Sequence, residues 1–140
     1  MADILIIGIA PTSEEGKEYF LHCLDWWWEI LLVIERLLNE HIPVDAYFVR
    51  EFPFAATAPK MDAEDSRQFS ILLEEILQNG SARTCLRQIY RDDPVLLDHY
   101  GNDGDLLKSN LDERIEQLET FTRFLKSCGG CNLKWYSPED

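Results

Sequence analysis

The chain has 140 residues, with an apolar fraction of 46% and a charged fraction of 28%, which fits one globular domain over residues 1–140 and argues against a disordered chain. Its 26 acidic and 13 basic residues give a net charge of −13, so the surface is expected to repel nucleic acid and anionic membranes and to favour a basic protein partner. The first residues lack a basic segment followed by a long apolar one, and no apolar run is long enough to span a membrane, so the sequence predicts a cytoplasmic protein without direct nucleic-acid or membrane binding.

The first predicted element is a short buried strand. Residues 4–7 are rich in β-branched side chains, and the run ends at Gly8. A helix is predicted next, because Thr12 and Glu15 have the spacing of a capping box. Apolar residues then recur at intervals of three and four, so this helix is predicted to continue to Asn39. Its apolar face would consist of Tyr19, Phe20, Cys23, Leu24, Trp27, Leu31, Ile34 and Leu38.

Three consecutive tryptophans, Trp26, Trp27 and Trp28, lie within this predicted helix. Neighbouring side chains on a helix differ in direction by about 100°, so three adjacent indoles do not share one face. At least one is therefore expected to leave the main buried face and to contact a second element, a partner or solvent. Because tryptophan is enriched at protein interfaces, all three are candidate interaction residues.

The segment after the first helix is less regular. Residues 44–49 are a weaker strand candidate, and residues 50–59 are predicted to form a loop because they contain two prolines and no helical period. This loop is unusually apolar, which makes Phe52 and Phe54 candidate interaction residues. They are predicted either to pack with the displaced tryptophan as a small satellite cluster or to form a partner site.

Two capped helices are predicted in the middle of the chain. Asp62 is a suitable N-cap for a helix that ends at residues 79–80, where an Asn-Gly pair provides the stop. Ser81 is predicted to cap a shorter helix, which ends at the Asp-Asp-Pro segment of residues 92–94. Along this shorter helix Arg83, Arg87 and Arg91 recur every four residues. They form either a solvated face paired with nearby acids or a candidate interaction stripe.

The last predicted helix is the clearest one. Residues 100–105 are predicted to be a turn, after which Asn110 and Glu113 form a capping box. The helix would run to Ser127 and end at residues 129–130, a Gly-Gly pair. Residues 132–136 are then predicted to return as a strand paired with residues 4–8. The inner face of the helix would consist of Leu111, Ile115, Leu118, Thr122 and Leu125, with Phe121 and Phe124 beside it.

Together these elements predict an α+β fold that is mostly helical, with long helices packed on a small sheet formed by the N- and C-terminal strands. The Gly8-x-x-Pro11 motif, the Tyr-Phe pair of residues 19–20 and the tryptophan segment resemble the opening of a family of small uncharacterised bacterial and phage proteins. Residues 62–80 resemble the middle helix of that family, and a Phe-x-x-Phe-Leu sequence followed by Gly-Gly resembles its ending.

The chain departs from the family pattern in two respects. The spacing from Gly16 to the tryptophans is longer, and a Cys-x-x-Cys segment after the middle helix is absent, with only Cys85 nearby. The family has no assigned activity, so the resemblance implies the order of the elements and nothing catalytic.

Cys128 and Cys131 have the spacing of a redox or metal-binding pair. The pair follows the C-terminal end of a helix, and the negative end of the helix dipole is expected to raise a thiol pKa, which argues against a reactive thiol. A zinc site needs two further ligands, and none of the remaining cysteines and histidines forms a second close pair. The Asn-Asp-Gly-Asp segment at residues 102–105 lacks the ligand spacing of a calcium loop. The sequence therefore predicts no catalytic residue, no metal and no cofactor.

The leading functional hypothesis is a non-enzymatic intracellular interaction protein that binds a protein partner, with homo-oligomers also compatible with the sequence. One alternative is an acidic inhibitor or nucleic-acid mimic, such as a phage or immunity factor, that blocks a basic site. A second alternative is an enzyme of unrecognised type. A clustered carboxylate surface would favour the mimic, a deep pocket with convergent polar groups the enzyme, and a flat apolar patch the interaction protein.

Overall fold

The computed structural model describes residues 3–21, 24–38, 60–93 and 104–136. These residues form four antiparallel strands in the order β2-β1-β4-β3, one 3₁₀ turn and four α-helices. The α+β, mostly helical fold is thereby confirmed. In chain order the elements are β1 (Asp3–Gly8), the 3₁₀ turn (Glu14–Gly16), β2 (Glu18–Leu21), α1 (Leu24–Leu38), β3 (Lys60–Met61), α2 (Ala63–Gln78), α3 (Ser81–Asp92), α4 (Gly104–Ser127) and β4 (Cys131–Tyr136).

Strand β1 lies inside the sheet and pairs with β4, as the sequence predicted. The two strands are antiparallel, with Gly8 opposite Cys131 and Asp3 opposite Tyr136. On its other side β1 pairs with β2, and the short β3 pairs with β4 at Cys131. The first and last strands therefore hold the two ends of the described chain together, with Ile6, fully buried, on the side of the sheet that faces the core.

The helix predicted from residue 12 is wrong over its first part. Residues 14–16 form only a 3₁₀ turn, and Tyr19 and Phe20 lie in strand β2, so the helix begins at Leu24. Thr12 does not cap a helix; its hydroxyl donates to the Ser127 carbonyl. In β2 exposed and buried side chains alternate, which is the pattern of a half-buried strand. Over only four residues, tertiary pairing with β1 outweighs local helical signals.

Gly16 lies against the end of α4, where the structure leaves no room for a side chain. A Cβ at this position would lie 2.1 Å from the Ser127 carbonyl oxygen. The same carbonyl accepts a hydrogen bond from the Thr12 amide at 2.9 Å, so the turn and the helix end are held by backbone contacts. The close approach of the Ser127 carbonyl to Gly16 explains why this position is a glycine, in a segment where the sequence predicted a helical turn.

We expect Gly16→Ala to lower the free energy of unfolding by about 1–3 kcal/mol, because the added methyl group must displace this backbone contact. Hydrogen exchange of the Thr12 amide should accelerate in this variant. Gly80→Ala is the control, since Gly80 has a φ of 82° and no atom within 4 Å of the added Cβ. That control should lose some stability but leave Thr12 exchange unchanged; equal Thr12 exchange in both variants would contradict the proposed contact.

The two middle helices agree with the sequence, with one difference in capping. Asp62 caps α2, and its carboxylate accepts a hydrogen bond from the Asp65 amide at 2.7 Å. Ser81 is the first residue of α3 rather than its cap, and its amide donates to the Asn79 side chain at 2.8 Å. The Asn-Gly stop between the two helices is confirmed, with Asn79 at the C-cap of α2.

Helix α4 begins earlier than the sequence indicated. It starts at Gly104, so residues 104–105 are helical rather than part of a turn, and Asn110 lies inside the helix and does not cap it. Buried residues on its inner face confirm the predicted stripe, and Gly129 and Gly130 end the helix with positive φ angles. The buried residues of this face are Leu111, Leu118, Phe121, Thr122, Phe124 and Leu125.

A cluster of four aromatic rings joins α4 to the sheet and to α1. Phe121 lies at its centre, with ring centroids 5.1 Å from Tyr19 and 5.2 Å from Trp27. Phe124 completes the cluster at 6.4 Å from Phe121. All four side chains are buried, so this aromatic cluster forms the centre of the core. Within the described residues, none of the helices is both long and apolar enough to cross a membrane.

A candidate interaction groove

A groove of about 310 Å³ lies between strand β2, the start of α1 and the middle of α4. Its buried members provide an apolar base, and its exposed members provide one aromatic ring and a polar rim with two carboxylates. We call this feature the acidic groove. It is lined by Tyr19, Phe20, Leu21, Trp26, Glu113, Glu116, Gln117 and Thr120.

The helical period explains why α4 contributes these particular residues. Glu113 and Glu116 are three residues apart, so their side chains project from neighbouring positions on one face of the helix. The Glu113 side chain is 52% exposed, and Glu116 is also exposed. The inner face of the same helix packs in the core, so the carboxylates are presented from a rigid support.

Of the two tryptophans whose side chains the structure describes, Trp26 is the one that is less buried. Its side chain is half-buried, and the guanidinium carbon of Arg114 lies 4.1 Å from the centre of its ring. This distance is that of a cation–π contact, which is stronger where water is excluded. Since the Arg114 side chain is only 2% exposed, the contact fixes the indole at the edge of the groove.

Arg114 belongs to a buried polar network that ties together α1, α3 and α4. Its Nε donates to the Glu29 carboxylate at 2.9 Å, and its terminal nitrogens donate to the Gln117 and Asn110 side-chain oxygens at 2.7 and 3.1 Å. The Tyr90 hydroxyl donates to the same Glu29 oxygen at 2.9 Å and accepts from the Asn110 amide at 2.6 Å. Each side chain in this network therefore has at least one hydrogen-bond partner, which is what buried polar groups require.

The network also determines the charge of the groove. The Arg114 cation is paired with Glu29 inside the protein, so it neutralises the carboxylates at the rim only in part. One of its terminal nitrogens lies 3.8 Å from Glu113, whereas Glu116 has no basic side chain within 4 Å among the described residues. The groove is consequently lined by aromatic rings and by carboxylates that are open to solvent.

Tyr19 contributes a neutral wall to the groove. Burial raises the pKa of its hydroxyl far above the ordinary value, although the nearby Arg114 cation acts in the opposite direction. The hydroxyl donates to the Gln117 carbonyl at 3.3 Å. Tyr19 therefore remains protonated at every physiological pH, and its role is to shape the groove.

The other sequence candidates fall in different places. Trp27 is 1% exposed and lies in the aromatic cluster, so in this structure its ring packs in the core. Trp28 lies in α1, but its side chain is outside the described part of the structure. Phe52 and Phe54, together with the predicted strand at residues 44–49, also lie outside the described residues.

The arginine stripe is found on α3, away from the acidic groove. Arg83 pairs with Asp112 of α4 at 2.6 Å, which is the pairing with a nearby acid that the sequence offered as one interpretation. Arg87 is half-buried and Arg91 is exposed. None of the three lines the groove.

The Cys128–Cys131 pair has a different electrostatic environment from the one expected. Both side chains are fully buried. The neighbouring Cys131 thiol lowers the pKa of Cys128, and burial acts in the opposite direction. The net lowering is opposite in direction to the effect expected from the end of its own helix.

Sequence analysis missed four residues of the network: Glu29, Tyr90, Asn110 and Arg114. One signal was available for Glu29, because it follows Trp26 by three residues and precedes Val33 by four, which places a carboxylate on an apolar helix face. Such a residue needs a buried partner. Nothing local identifies that partner, which lies 85 residues away.

Comparison with protein-family models, with curated proteins and with solved structures found no match to this chain. The resemblance to small bacterial and phage proteins stays a prediction.

Proposed function

We propose that the protein is a non-enzymatic interaction protein that binds a basic segment of a protein partner in the acidic groove. The observation that carries this proposal is the combination of exposed carboxylates and aromatic rings in one groove. Carboxylates form charge-assisted hydrogen bonds with lysine and arginine, and aromatic faces attract the same cations.

The charge of the whole chain supports the same kind of partner. A net charge of −13 attracts basic proteins over distances of about a Debye length, roughly 8 Å at physiological salt. The groove then provides short-range selectivity, because Glu113 and Glu116 stand beside the ring of Trp26. A lysine or arginine side chain can pair with a carboxylate there and lay its apolar stem against the aromatic base.

The test is the binding of a short peptide rich in lysine and arginine, measured by titration calorimetry. We expect Glu113→Gln/Glu116→Gln to weaken binding about tenfold, which corresponds to about 1.4 kcal/mol, because two charge-assisted contacts are removed. A peptide of equal length with glutamine at the basic positions should not bind.

The matched control is Glu35→Gln/Glu75→Gln. These two glutamates are exposed and do not line the groove, so the control changes net charge equally. It should weaken peptide binding by no more than about twofold, because distant surface charges are screened. Equal weakening by the two double variants would mean that binding follows net charge alone, and absence of peptide binding by the wild type would overturn the proposal.

A nucleic-acid mimic is the second candidate, favoured by a row of exposed carboxylates along α4. Asp112, Glu116 and Glu119 are exposed and recur at intervals of four and three residues, so they stand roughly 6 and 4.5 Å apart along the helix axis, with Asp112 also paired with Arg83. Regularly spaced negative charges are what a nucleic-acid backbone presents. In this case, a protein retained from a lysate of the source cell by the immobilised chain should be released by double-stranded DNA, and Glu116→Gln/Glu119→Gln should abolish retention. A protein that stays bound in excess DNA would contradict mimicry.

A further inference from the structure

The arginine stripe of α3 carries two guanidinium groups without an ion pair. Arg83 is paired with Asp112 of α4, whereas Arg87 and Arg91 have no carboxylate within 4 Å among the described residues. Several other basic side chains are each paired with a carboxylate, namely Lys17, Arg36, Arg67, Arg114, Arg123 and Lys126. Two unpaired cations on one helix are therefore open to carboxylates from outside the chain.

The helical period places these two arginines on one side of α3. They are four residues apart, so they stand roughly 6 Å from each other along the helix axis. Arg91 is exposed and Arg87 is half-buried, so both side chains reach solvent. The rest of the helix is anchored in the core by Leu86, Ile89 and Tyr90, so the two cations are presented from a fixed support.

The acidic groove offers the groups that arginine binds best. Glu113 and Glu116 provide carboxylates, and the rings of Phe20 and Trp26 provide aromatic surface beside them. A guanidinium pairs with a carboxylate as a planar fork and stacks on an aromatic face, which a lysine ammonium does less well. None of the arginines of the stripe lines the groove of its own chain, so the two complementary surfaces are free to meet between two molecules.

We infer that the basic partner of the acidic groove is the arginine stripe of a second copy of this chain. The inference rests on the proposed function of the groove and specifies its partner. The ion pair between Arg83 and Asp112 joins α3 to α4 at 2.6 Å, so the stripe and the helix that carries the carboxylates belong to adjoining parts of one surface. A twofold axis then brings the stripe of each copy to the groove of the other, and each contact is made twice.

The net charge of −13 opposes self-association, but its effect differs in range from that of the local contacts. Repulsion between the two molecules as a whole is spread over their surfaces and is screened beyond about 8 Å at physiological salt. Arginine–carboxylate pairs act at contact distance, where salt screens them much less. The balance gives a weak dimer, which we expect to form at chain concentrations of about 100 μM and above.

Sedimentation velocity of the full chain at increasing concentration measures the dimer. We expect Arg87→Glu/Arg91→Glu to raise its dissociation constant at least about thirtyfold, because each reversed side chain meets like charge twice in a twofold dimer. The matched control is Arg67→Glu/Lys126→Glu, which changes net charge equally at two exposed positions outside the stripe and the groove. It should raise the dissociation constant by no more than about threefold, because distant charges are screened.

Charge reversal of the groove provides the complementary variant. Glu113→Lys/Glu116→Lys should also be monomeric, and an equimolar mixture with Arg87→Glu/Arg91→Glu should dimerise again, because each reversed surface then meets its complement. Restored dimerisation also shows that both variants are folded. Failure of the mixture to dimerise, with both variants folded by circular dichroism, would overturn the inference.

Two measurements separate this inference from the proposed function. On the wild-type chain, an excess of the peptide rich in lysine and arginine should dissociate the dimer, since both occupy the acidic groove. The monomeric Arg87→Glu/Arg91→Glu variant should bind the same peptide at least as tightly as the wild type does, because its groove is unchanged. A wild type that binds the peptide but stays monomeric at about 500 μM, or a dimer that excess peptide leaves intact, would overturn the inference and leave the proposed function standing.

Discussion

Replacing Arg114 with methionine is expected to lower the free energy of unfolding by about 3–5 kcal/mol, because the buried Glu29 carboxylate loses its cationic partner. The Arg114 side chain is 2% exposed and that of Glu29 is 11% exposed, so water does not replace the lost hydrogen bonds. Methionine has a similar length and no charge, which limits the change in packing. Urea denaturation followed by circular dichroism measures the effect.

The chain offers a matched control for this experiment on the same helix. Arg123 pairs with Glu15 through its Nε at 2.8 Å, nearly the geometry of the buried pair, but the two side chains are 49% and 59% exposed. Arg123→Met should therefore cost less than about 1 kcal/mol. Adding Glu29→Gln to Arg114→Met should cost less than the sum of the single changes, because the buried charge is gone. Equal losses for Arg114→Met and Arg123→Met would contradict the account of the network.

Phe121→Ala is expected to destabilise the protein by about 3–5 kcal/mol, the range for a buried aromatic replaced by alanine. The ring is 1% exposed and contacts Tyr19, Trp27 and Phe124. Removal of the ring leaves a cavity where α4, α1 and β2 meet. The lost free energy of unfolding therefore includes the cost of the cavity as well as the transfer free energy of the ring atoms. The urea midpoint should fall accordingly.

Two control variants help to interpret the loss of stability expected for Phe121→Ala. Phe121→Leu keeps most of the volume and should cost less than about 1.5 kcal/mol. Ile71→Ala, on the outer face of α2 where Ile71 is 58% exposed, should change stability by about 0.5 kcal/mol or less. A Phe121→Ala variant as stable as the Ile71→Ala variant would mean that the aromatic cluster is not the centre of the core.

Stability and binding can be measured separately because different residues govern them. The polar network and the aromatic cluster hold β2, α1 and α4 together, and these are the three elements that line the acidic groove. Changes in Arg114 or Phe121 therefore alter the support of the groove. Changes at Glu113 and Glu116 alter only its exposed rim, which is why they form the binding test.

The chain alone determined the parts of the fold that depend on local signals. The strand after residue 3, the capped helix at Asp62 and the inner face of α4 were all predicted from hydrophobic period and capping residues. Hydrophobic period and capping act over a few residues, so they are readable in the sequence. The pairing of the first and last strands was also predicted, from the expectation that it would cover their apolar faces, and the structure shows it.

Only the tertiary structure decided β2 and the polar network. The four residues of β2 carry both a helical and a strand pattern, and the choice depends on the edge of β1. Asn110 looks like a helix cap by its neighbours, but it lies within α4 because Tyr90 and Arg114 satisfy its side chain. Partners that lie tens of residues away in the chain leave no local signal.

The cysteine pair also shows that local sequence signals do not determine the electrostatic environment of a side chain. The sequence places Cys128 after the C-terminus of α4, which predicts a raised pKa, and that reasoning is sound for an isolated helix. The fold then places the Cys131 thiol beside the same sulfur, and this neighbour lowers the pKa of Cys128 while burial acts in the opposite direction. Electrostatic effects act through space, so the direction of this shift depends on how the neighbouring groups are arranged after folding, and the order of residues alone does not contain that information.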